Sequence, residues 1–366
     1  MPNRFVVLEN GQIFSGKPFG AAGEVTGEIV FTTGMTGYLE TLTDPSYYGQ
    51  MVIQTFPLIG NYGVIPADFE SSSPHVKAYI VREWCQAPSN FRSEGELDAF
   101  LKGHNIVGVY GVDTREMTKL IREVGVMNAK ITSNIDNLEE ILKEIRGYRI
   151  TGAVESVSSD EISIAAGAPD GLRVVLWDFG AKENIRRELL KRGCEVITVP
   201  ALTTAETIIS LKPDGIMLSN GPGDPADNVG IINQLKQLTE AGIPIYGICL
   251  GHQLLALAQG AETAKLKYGH RGANQPVKDL QSGKVYITSQ NHGYAVVADT
   301  LPPHAVMRFV NVNDGTCEGI EYHNMPAFST QFHPEASAGP LDTCYLFDQF
   351  MELMREGKEQ CRSTKI

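Results

Sequence analysis

The residue with the clearest capacity for chemistry in this sequence is a cysteine that lies between two glycines. Cys249 ends the apolar run 244–248 and is followed by Gly251 and by the helix-like run 254–258. This order predicts a buried strand, a sharp turn and a helix, with the thiol at the turn. Glycines lack the Cβ atoms that would clash in such a turn, and the positive end of a helix dipole favours a reactive thiolate. A small buried core residue would fit this stretch equally well.

A thiol nucleophile needs a base, and the base needs a group that orients it. His333 has the most suitable context, because it follows a strand-like run and precedes Pro334, which biases its backbone to extended geometry. Residues two apart in an extended chain face the same side, so Glu335 should point the same way and stabilise the imidazolium. Cys249, His333 and Glu335 are therefore the predicted catalytic residues. Taken separately, His333 could be a core histidine and Glu335 a surface residue; His252 is a rival base that we expect to be structural.

Acyl transfer also needs donors for an oxyanion. The backbone amide of Leu250, at the predicted helix start, is one candidate, and the loop of Gly221 and Gly223 is another, because glycine lets the backbone approach a ligand closely. The sequence contains neither GxxxxGK[ST] nor GxGxxG, so we do not expect this loop to hold a nucleotide. The His, Asp and Glu residues show no metal-ligand spacing, and no metal site is predicted.

The elements around these residues predict an α/β fold in the second half of the chain. From residue 172 onward, short apolar strands alternate with amphipathic helices, which is typical of a doubly wound, mostly parallel sheet. The loop 219–225 and Cys249 both follow such strands, and sites in these sheets form beyond the carboxyl ends of strands. A β-rich stretch and a final helix at 346–354 complete a domain predicted over 172–356, followed by a charged tail, 357–366.

The first half of the chain is predicted to be a smaller, mixed α/β domain over residues 1–150. It lacks a regular strand–helix alternation, although Asn10-Gly11 predicts a hairpin and Thr114 is a candidate cap for a helix that Gly125 stops. Residues 34–63 are rich in Gly, Tyr, Thr and Pro and are interpreted as ordered loops and short strands. The Ser-, Ala- and Gly-rich stretch 151–171 is predicted to be a linker.

Composition narrows the class of protein and its partners. The chain has 366 residues and a formal net charge of −12, which makes nucleic acid or an anionic membrane a poor partner. No apolar stretch approaches the length of a membrane span or a signal peptide core, so we expect no membrane association. The six cysteines are scattered without a CxxC pair, which favours reduced thiols and a cytoplasmic location.

Several motifs together resemble a known family. The run 247–253 (GICLGHQ), the loop 219–225 and the His-Pro-Glu run 333–335 are similar to a class I, triad-type glutamine amidotransferase. The runs 33–38, 42–47, 56–63 and 111–115 resemble the N-terminal domain of the carbamoyl-phosphate synthase small chain family. In the second half, the runs 178–180, 184–186, 269–272 and 289–293 are similar to the amidotransferase half of the same family. Small departures are Tyr294, where phenylalanine is common, and Ala338, where a proline often stands.

The resemblance implies that Cys249 attacks the γ-carboxamide of L-glutamine, with His333 and Glu335 completing the triad, and that ammonia passes to a large synthase subunit. That subunit would bind ATP and Mg and make carbamoyl phosphate from bicarbonate, for arginine or pyrimidine biosynthesis; no cofactor is expected on this chain. The residues that the resemblance implies for glutamine binding are Ser46, Gly221, Gly223, Leu250, Gln253, Asn291, Gly293 and Tyr294. An amidotransferase that serves a different synthase, and a non-enzymatic subunit with a vestigial triad, are the alternatives.

Overall fold

The computed structural model describes residues 3–363, with side chains through residue 359. The chain divides into two compact units between Ala153 and Val154. The predicted linker 151–171 is crossed by this division, and most of it is folded with the second unit. Val154 is buried in the core of the second unit, and strand Ser163–Ala165 pairs with its sheet.

The first unit is built on a closed barrel of mixed parallel and antiparallel strands, in the order β1-β2-β8-β6-β4-β3-β9, with the short pair β5-β7 beside it. This agrees with the predicted mixed α/β class. The strands are β1 Arg4–Leu8, β2 Ile13–Gly20, β3 Val25–Thr32, β4 Gln50–Gln54, β5 Leu58–Ile59, β6 Ala78–Val81, β7 Glu83–Trp84, β8 Val107–Tyr110 and β9 Met127–Thr132. The helices are α1 Tyr38–Thr43, α2 Leu97–Gly103, α3 Thr114–Val124 and α4 Leu138–Gly147.

Local turn and cap residues explain several of these boundaries. The predicted hairpin forms between β1 and β2, where Gly11 adopts a φ of +87° that favours glycine. Helix α3 stops at Gly125 as expected, but its N-cap is Asp113 rather than Thr114. The Asp113 carboxylate accepts a hydrogen bond from the Glu116 N–H at 3.0 Å, which a side chain one position later does not provide.

The region 34–63 contains a helix that the sequence analysis did not predict. Helix α1 begins after Gly37 without a side-chain cap of its own. The hydroxyl of Tyr62 instead accepts hydrogen bonds from the N–H groups of Gly37 and Tyr38, at 2.9 and 3.2 Å. Because the cap comes from about 25 residues away, no local signal marks the helix start. Ser46 follows in a buried 3₁₀ turn, where its N–H donates to the Asp44 carboxylate at 2.9 Å.

The second unit contains one ten-stranded sheet with a parallel centre. Its strands are β10 Ser163–Ala165, β11 Arg173–Asp178, β12 Glu195–Pro200, β13 Gly215–Leu218, β14 Ile245–Ile248, β15 Thr263–Asp279, β16 Val285–Val296, β17 Ala305–Asn311, β18 Cys317–Tyr322 and β19 Ala327–Thr330. The helices are α5 Glu183–Lys191, α6 Ala205–Ser210, α7 Val229–Glu240, α8 Leu250–Ala258 and α9 Tyr345–Ser363. Strands β12, β11, β13, β14 and β19 are parallel neighbours in that order, and β18, β17, β15 and β16 continue the sheet antiparallel.

Helices cover both faces of the parallel centre, as a doubly wound sheet requires. Alternate residues of each strand point to opposite faces. On β11, Val175 and Trp177 belong to the core shared with α6, α7 and α8, whereas Val174 and Leu176 belong to the core shared with α5 and α9. The predicted fold class of this half is therefore confirmed, with an antiparallel extension of the sheet that the β-rich stretch supplies.

The C-terminal helix is longer than the sequence analysis expected. Helix α9 runs through Ser363, so it includes most of the segment predicted as a tail over 357–366. Buried Phe350 and Met354 anchor its first half to the sheet, and an amphipathic charged stretch continues the helix beyond them. Residues 364–366 of the predicted tail lie outside the described residues. Among the residues that the structure describes, no helix is long and apolar enough to cross a membrane.

Candidate active site

The candidate site lies at the carboxyl edge of the parallel strands, as expected for this kind of sheet. Strands β14 and β19 are direct neighbours, and Ile248 is in register with Thr330. The polypeptide leaves the sheet after both strands at this point, where the Cys249 N–H donates to the Thr330 carbonyl at 2.8 Å. The residues that follow β19 are therefore delivered beside the thiol, although they are more than 80 positions away in the sequence.

Cys249 occupies a strained turn between β14 and α8. Its φ of 54° and ψ of −103° are unfavourable for a residue with a Cβ atom. The flanking glycines make this geometry possible. A Cβ atom at Gly247 would lie 2.8 Å from the backbone of Gly251, and a Cβ atom at Gly251 would lie 2.5 Å from the carbonyl oxygen of Leu218. The turn therefore holds the thiol at the end of the strand, directly before the first residue of the helix.

The close approach at Gly251 leads to a prediction about stability. Changing Gly251 to alanine should destabilise the protein by about 1–3 kcal/mol or more and reduce activity, because the new Cβ overlaps backbone atoms that cannot move easily. Gly230→Ala is the matched control, since Gly230 lies in helix α7 with no atom within 4 Å of the added Cβ. Thermal unfolding of both variants measures the difference. Equal melting temperatures for the two variants would contradict this account of the turn.

His333 and Glu335 lie side by side in the extended segment after β19. Nδ1 of His333 donates to Oε1 of Glu335 at 2.7 Å, and both side chains are at most 1% exposed. The backbone around them is held on two sides. The His333 N–H donates to the Ser289 carbonyl at 2.9 Å, and the Cys344 thiol donates to the Pro334 carbonyl at 3.1 Å. The arrangement fixes the imidazole in one tautomer and one orientation.

The electrostatics of the pair favour a protonated imidazole beside an ionised carboxylate. Burial and the nearby Lys182 ammonium lower the pKa of His333, whereas the Glu335 carboxylate and a Cys249 thiolate raise it. The two anions have the larger effect, so the pKa of His333 lies above its usual range. Burial raises the pKa of Glu335, whereas His333 and Lys182 lower it. The two cations have the larger effect, so the pKa of Glu335 lies below its usual range. His333 can therefore carry a proton at neutral pH and hold it close to the sulfur.

Lys182 is a residue of this site that the sequence analysis missed. It follows strand β11, and its Nζ lies 3.7 Å from Oε1 of Glu335 in a setting where the lysine side chain is 11% exposed. Asn220, in the loop after β13, accepts a hydrogen bond from the Lys182 N–H at 2.9 Å and donates to the Gly180 carbonyl at 3.0 Å. The only signal in the sequence was the position of both residues at strand ends.

Two predicted oxyanion donors, Leu250 and Gly221, lie at the turn that holds the thiol. Leu250 is the first residue of helix α8, so its N–H has no acceptor within the helix. The glycine loop packs against the same corner. A Cβ atom at Gly221 would lie 2.3 Å from the Phe179 carbonyl oxygen and 2.7 Å from the Leu250 side chain. Gly223 has a φ of +90°. Neither loop position would accept a side chain without strain.

Strand β16 brings the predicted glutamine-binding segment 291–294 to the thiol. The backbone carbonyl of Asn291 lies 3.7 Å from Sγ of Cys249. The Gln253 amide nitrogen donates to the Tyr294 carbonyl at 2.7 Å and to the Gln331 side chain at 2.8 Å. Gln253 thus ties α8 to β16 and to the segment that follows β19, and Gly293 lies between the two anchored positions of β16.

His252 differs from His333 in both surroundings and charge. It is fully buried on helix α8, where Nδ1 lies 2.8 Å from the Ser329 hydroxyl on β19. Burial lowers the pKa of His252 to about 3, so the ring is neutral at physiological pH. This agrees with the structural role that the sequence analysis expected. Ser46, another predicted contact of the substrate, lies in the first unit and stays a prediction.

One group of side chains in the described chain has the composition of a metal site. Ligating atoms of His270, His292 and Glu318 lie within 4.8 Å of one another. The sequence spacing did not predict this group, because its members come from β15, β16 and β18. Nε2 of His292 and both carboxylate oxygens of Glu318 already hydrogen-bond to protein side chains, so a metal ion would have to displace those partners.

Comparisons with known proteins agree with this division of the chain. Residues 6–131 match the family model described as the carbamoyl-phosphate synthase small chain, CPSase domain, and residues 175–353 match glutamine amidotransferase class-I. A carbamoyl phosphate synthase small chain from Listeria monocytogenes is 50% identical over 362 residues, which cover 98% of this chain and 99% of the relative. The one from Fusobacterium nucleatum is 51% identical, covering 96% and 98%, and one from Bacillus cereus is 50% identical, covering 99% and 100%.

These relatives extend over both units and share half of their residues with this chain, and the two family models fall on either side of the boundary between the units. The chain therefore belongs to the carbamoyl phosphate synthase small chain family.

Proposed function

We propose that this chain is the glutaminase subunit of a carbamoyl phosphate synthase. It would hydrolyse L-glutamine to glutamate and supply ammonia to a large synthase subunit. The observation that carries the proposal is the buried His333–Glu335 pair, joined at 2.7 Å, at the end of the strand beside the strained Cys249 turn. Family membership supports the same reading, because both units match.

The first half of the proposed reaction forms a thioester. The Cys249 thiolate attacks the γ-carboxamide carbon of glutamine, and the carbonyl oxygen takes up the negative charge. The N–H groups of Leu250 and of the Gly221 and Gly223 loop stabilise that oxyanion. His333 then gives its proton to the leaving nitrogen, the carbon–nitrogen bond breaks, and ammonia departs.

The second half releases glutamate and restores the thiol. His333, now neutral, removes a proton from water as the water oxygen attacks the thioester carbonyl. The carbon–sulfur bond breaks and the proton on His333 remains beside the regenerated thiolate. Glu335 keeps Nδ1 protonated throughout, and so leaves Nε2 to exchange the proton. A nucleophilic thiol must remain reduced, so the proposal includes the cytoplasm as the compartment.

The proposed contacts of glutamine are the residues that the family resemblance implies. The carboxamide lies over Cys249, and the remaining polar groups of glutamine meet backbone and side-chain groups of the surrounding loops. The proposed contacts are Ser46, Gly221, Gly223, Leu250, Gln253, Asn291, Gly293 and Tyr294. Because the Gln253 nitrogen already donates to two protein oxygens, the Gln253 carbonyl oxygen is the atom that it can offer to the substrate.

The proposal assigns the remaining chemistry to a partner. Nothing in this sequence resembles an ATP site, so activation of bicarbonate and phosphorylation belong to the large subunit with ATP and Mg. Free ammonia becomes protonated in water, so we propose transfer through a sealed passage between the two chains. The product would enter arginine biosynthesis, pyrimidine biosynthesis or both.

The first test measures glutamate release by this chain alone and with a large synthase subunit, ATP and bicarbonate. We expect slow release by the isolated chain and a rise of about tenfold or more in the complete mixture, because the partner orders the catalytic groups. Omission of bicarbonate is the control for coupling. Equal release in all mixtures, or carbamoyl phosphate formed without consumption of glutamine, would contradict the proposal.

A further inference from the structure

The side chain of Gln253 is held by two oxygen atoms from different parts of the second unit. Its amide nitrogen donates to the Tyr294 carbonyl of β16 at 2.7 Å and to Oε1 of Gln331 at 2.8 Å. Gln331 directly follows β19, and its side chain is fully buried. The Gln331 N–H donates to the Glu318 carbonyl at 2.8 Å, so the backbone that carries this side chain is fixed to the sheet.

The orientation of both glutamine amides follows from one backbone group. The two ends of a side-chain amide have nearly the same shape, so hydrogen bonding decides which end is which. The Tyr294 carbonyl can only accept, so the end of Gln253 that faces it must be the nitrogen. The same nitrogen faces Gln331, which must therefore present its oxygen. In the described part of the chain, both hydrogen bonds of the Gln253 side chain use this nitrogen, and its oxygen remains for a ligand.

The other end of the Gln331 amide has no partner. Its Nε2 is buried and donates to no acceptor among the described residues. A buried donor without an acceptor destabilises the folded state, and an apolar side chain of similar volume would avoid that cost. Stability therefore does not explain a glutamine at this position. The feature that an apolar side chain would lack is the oxygen that faces Gln253.

We propose that Gln331 is a positioning residue for glutamine, which fixes the amide of Gln253 so that the Gln253 oxygen faces the substrate. This inference rests on the proposed function, because it takes Gln253 as a contact of glutamine. The bond to Tyr294 holds the nitrogen in place, and the second bond, to Gln331, sets the plane of the amide. A contact that is free to rotate would hold less of the bound substrate in the reactive geometry.

Gln331 also belongs to the stretch of chain that supplies the base. It lies two residues before His333, and the carbonyl of the preceding Thr330 accepts from the Cys249 N–H at 2.8 Å. The stretch 330–335 therefore positions the nucleophile, the base and, on this proposal, the side chain that receives glutamine. The substrate contact is complete only when this stretch is in place.

The test compares Gln331→Met with wild type in the complex with the large subunit. Methionine has a similar size but is at most a weak acceptor, so we expect the KM for glutamine to rise about 3- to 10-fold, with kcat changed less than about twofold. The melting temperature should stay within about 2 °C, because the variant removes the unpaired amide of Gln331 and leaves one unpaired N–H on Gln253.

Gln234→Met is the matched control. Oε1 of Gln234, on α7, accepts from the Ala205 N–H at 2.8 Å, so this change also removes a hydrogen bond to a glutamine oxygen. It should leave the KM for glutamine unchanged. Gln331→Glu is the conservative variant, because either form of its carboxyl group offers an oxygen to Gln253. Its KM should stay within about twofold of wild type.

A double variant separates positioning from a general effect on the site. If Gln331 acts only through Gln253, then Gln253→Ala and the double variant Gln253→Ala/Gln331→Met should have the same KM. Carbamoyl phosphate synthesis from added ammonium should persist in all these variants, because that route does not use bound glutamine.

Four results in an active wild-type complex would overturn the inference alone. They are an unchanged KM in Gln331→Met, independent effects in the double variant, an equal rise of KM in Gln331→Glu, and a Gln331→Met protein that is unfolded or strongly destabilised, which would assign the residue to the core. A wild-type complex that uses ammonium but does not hydrolyse glutamine would overturn the proposed function and this inference together.

Discussion

Replacing Cys249 with alanine should abolish glutamine hydrolysis, lowering kcat by about 10⁴-fold or more. The change removes only the sulfur atom and leaves the Cβ atom, so we expect the backbone to keep its φ of 54° at this position. The fold should therefore remain while the nucleophile is lost. Without a thioester, neither half of the proposed reaction can proceed. The measurement is glutamate release in the complex, together with carbamoyl phosphate formed from added ammonium.

The ammonium reaction separates loss of the nucleophile from loss of the complex. Carbamoyl phosphate synthesis from ammonium should persist in Cys249→Ala, because that route bypasses glutamine. Cys85→Ala is the matched control, since Cys85 is also a free cysteine but is partly exposed and lies in the first unit, and this variant should behave as wild type in both assays. Glutamate release by Cys249→Ala at the wild-type rate would rule out this thiol as the nucleophile.

Replacing Glu335 with glutamine should lower kcat by about 10²- to 10⁴-fold near neutral pH. The carboxylate opposes both burial and the Lys182 charge, which lower the pKa of His333. Without it, that pKa should fall, and the imidazolium that protonates the leaving nitrogen should become scarce. The direction of the pH effect follows: a group with a lowered pKa holds its proton only at lower pH, so the relative loss of activity should shrink as the pH decreases.

A pH profile of glutamate release distinguishes this electrostatic role from a general loss of structure. Glu352→Gln is a suitable control, because Glu352 lies on the exposed side of helix α9 and its replacement also removes one carboxylate. It should leave the profile unchanged. A Glu335→Gln enzyme that loses the same fraction of activity at every pH would contradict the proposed effect on His333, and full activity would remove Glu335 from the mechanism.

The parallel half of the fold could be predicted because its local patterns agree with its tertiary packing. Strands such as β11 and β14 are short apolar runs, and the intervening helices have apolar residues at helical spacing, as on α5 with Ile185 and Leu189. The barrel of the first unit carries no comparable signal. Its closure depends on pairing Phe5 with Thr132, and pairs separated by more than 100 residues leave no mark in a local pattern.

Local sequence patterns also predicted only some of the side chains of the site. The spacing of His333 and Glu335 was informative because the two residues are local to one extended segment. Lys182 follows β11 and Glu335 follows β19, and only the tertiary structure brings their charged groups within 3.7 Å of each other. Glu318 is connected to His292 through the side chain of Gln290. Lysine and glutamate are usually exposed, and only the tertiary structure shows that the side chains of Lys182 and Glu318 are buried.

The adjacency of β14 and β19 affects when the thiol becomes reactive during biosynthesis. The ribosome makes Cys249 long before it makes Ala327–Thr330, the strand that lies beside β14 and leads to His333 and Glu335. On the proposed mechanism, a nascent or truncated chain that ends before residue 335 has a thiol without its complete base, and a central sheet position without its neighbour. Glutaminase activity should therefore arise only when the late strand has inserted, so that folding intermediates do not release ammonia.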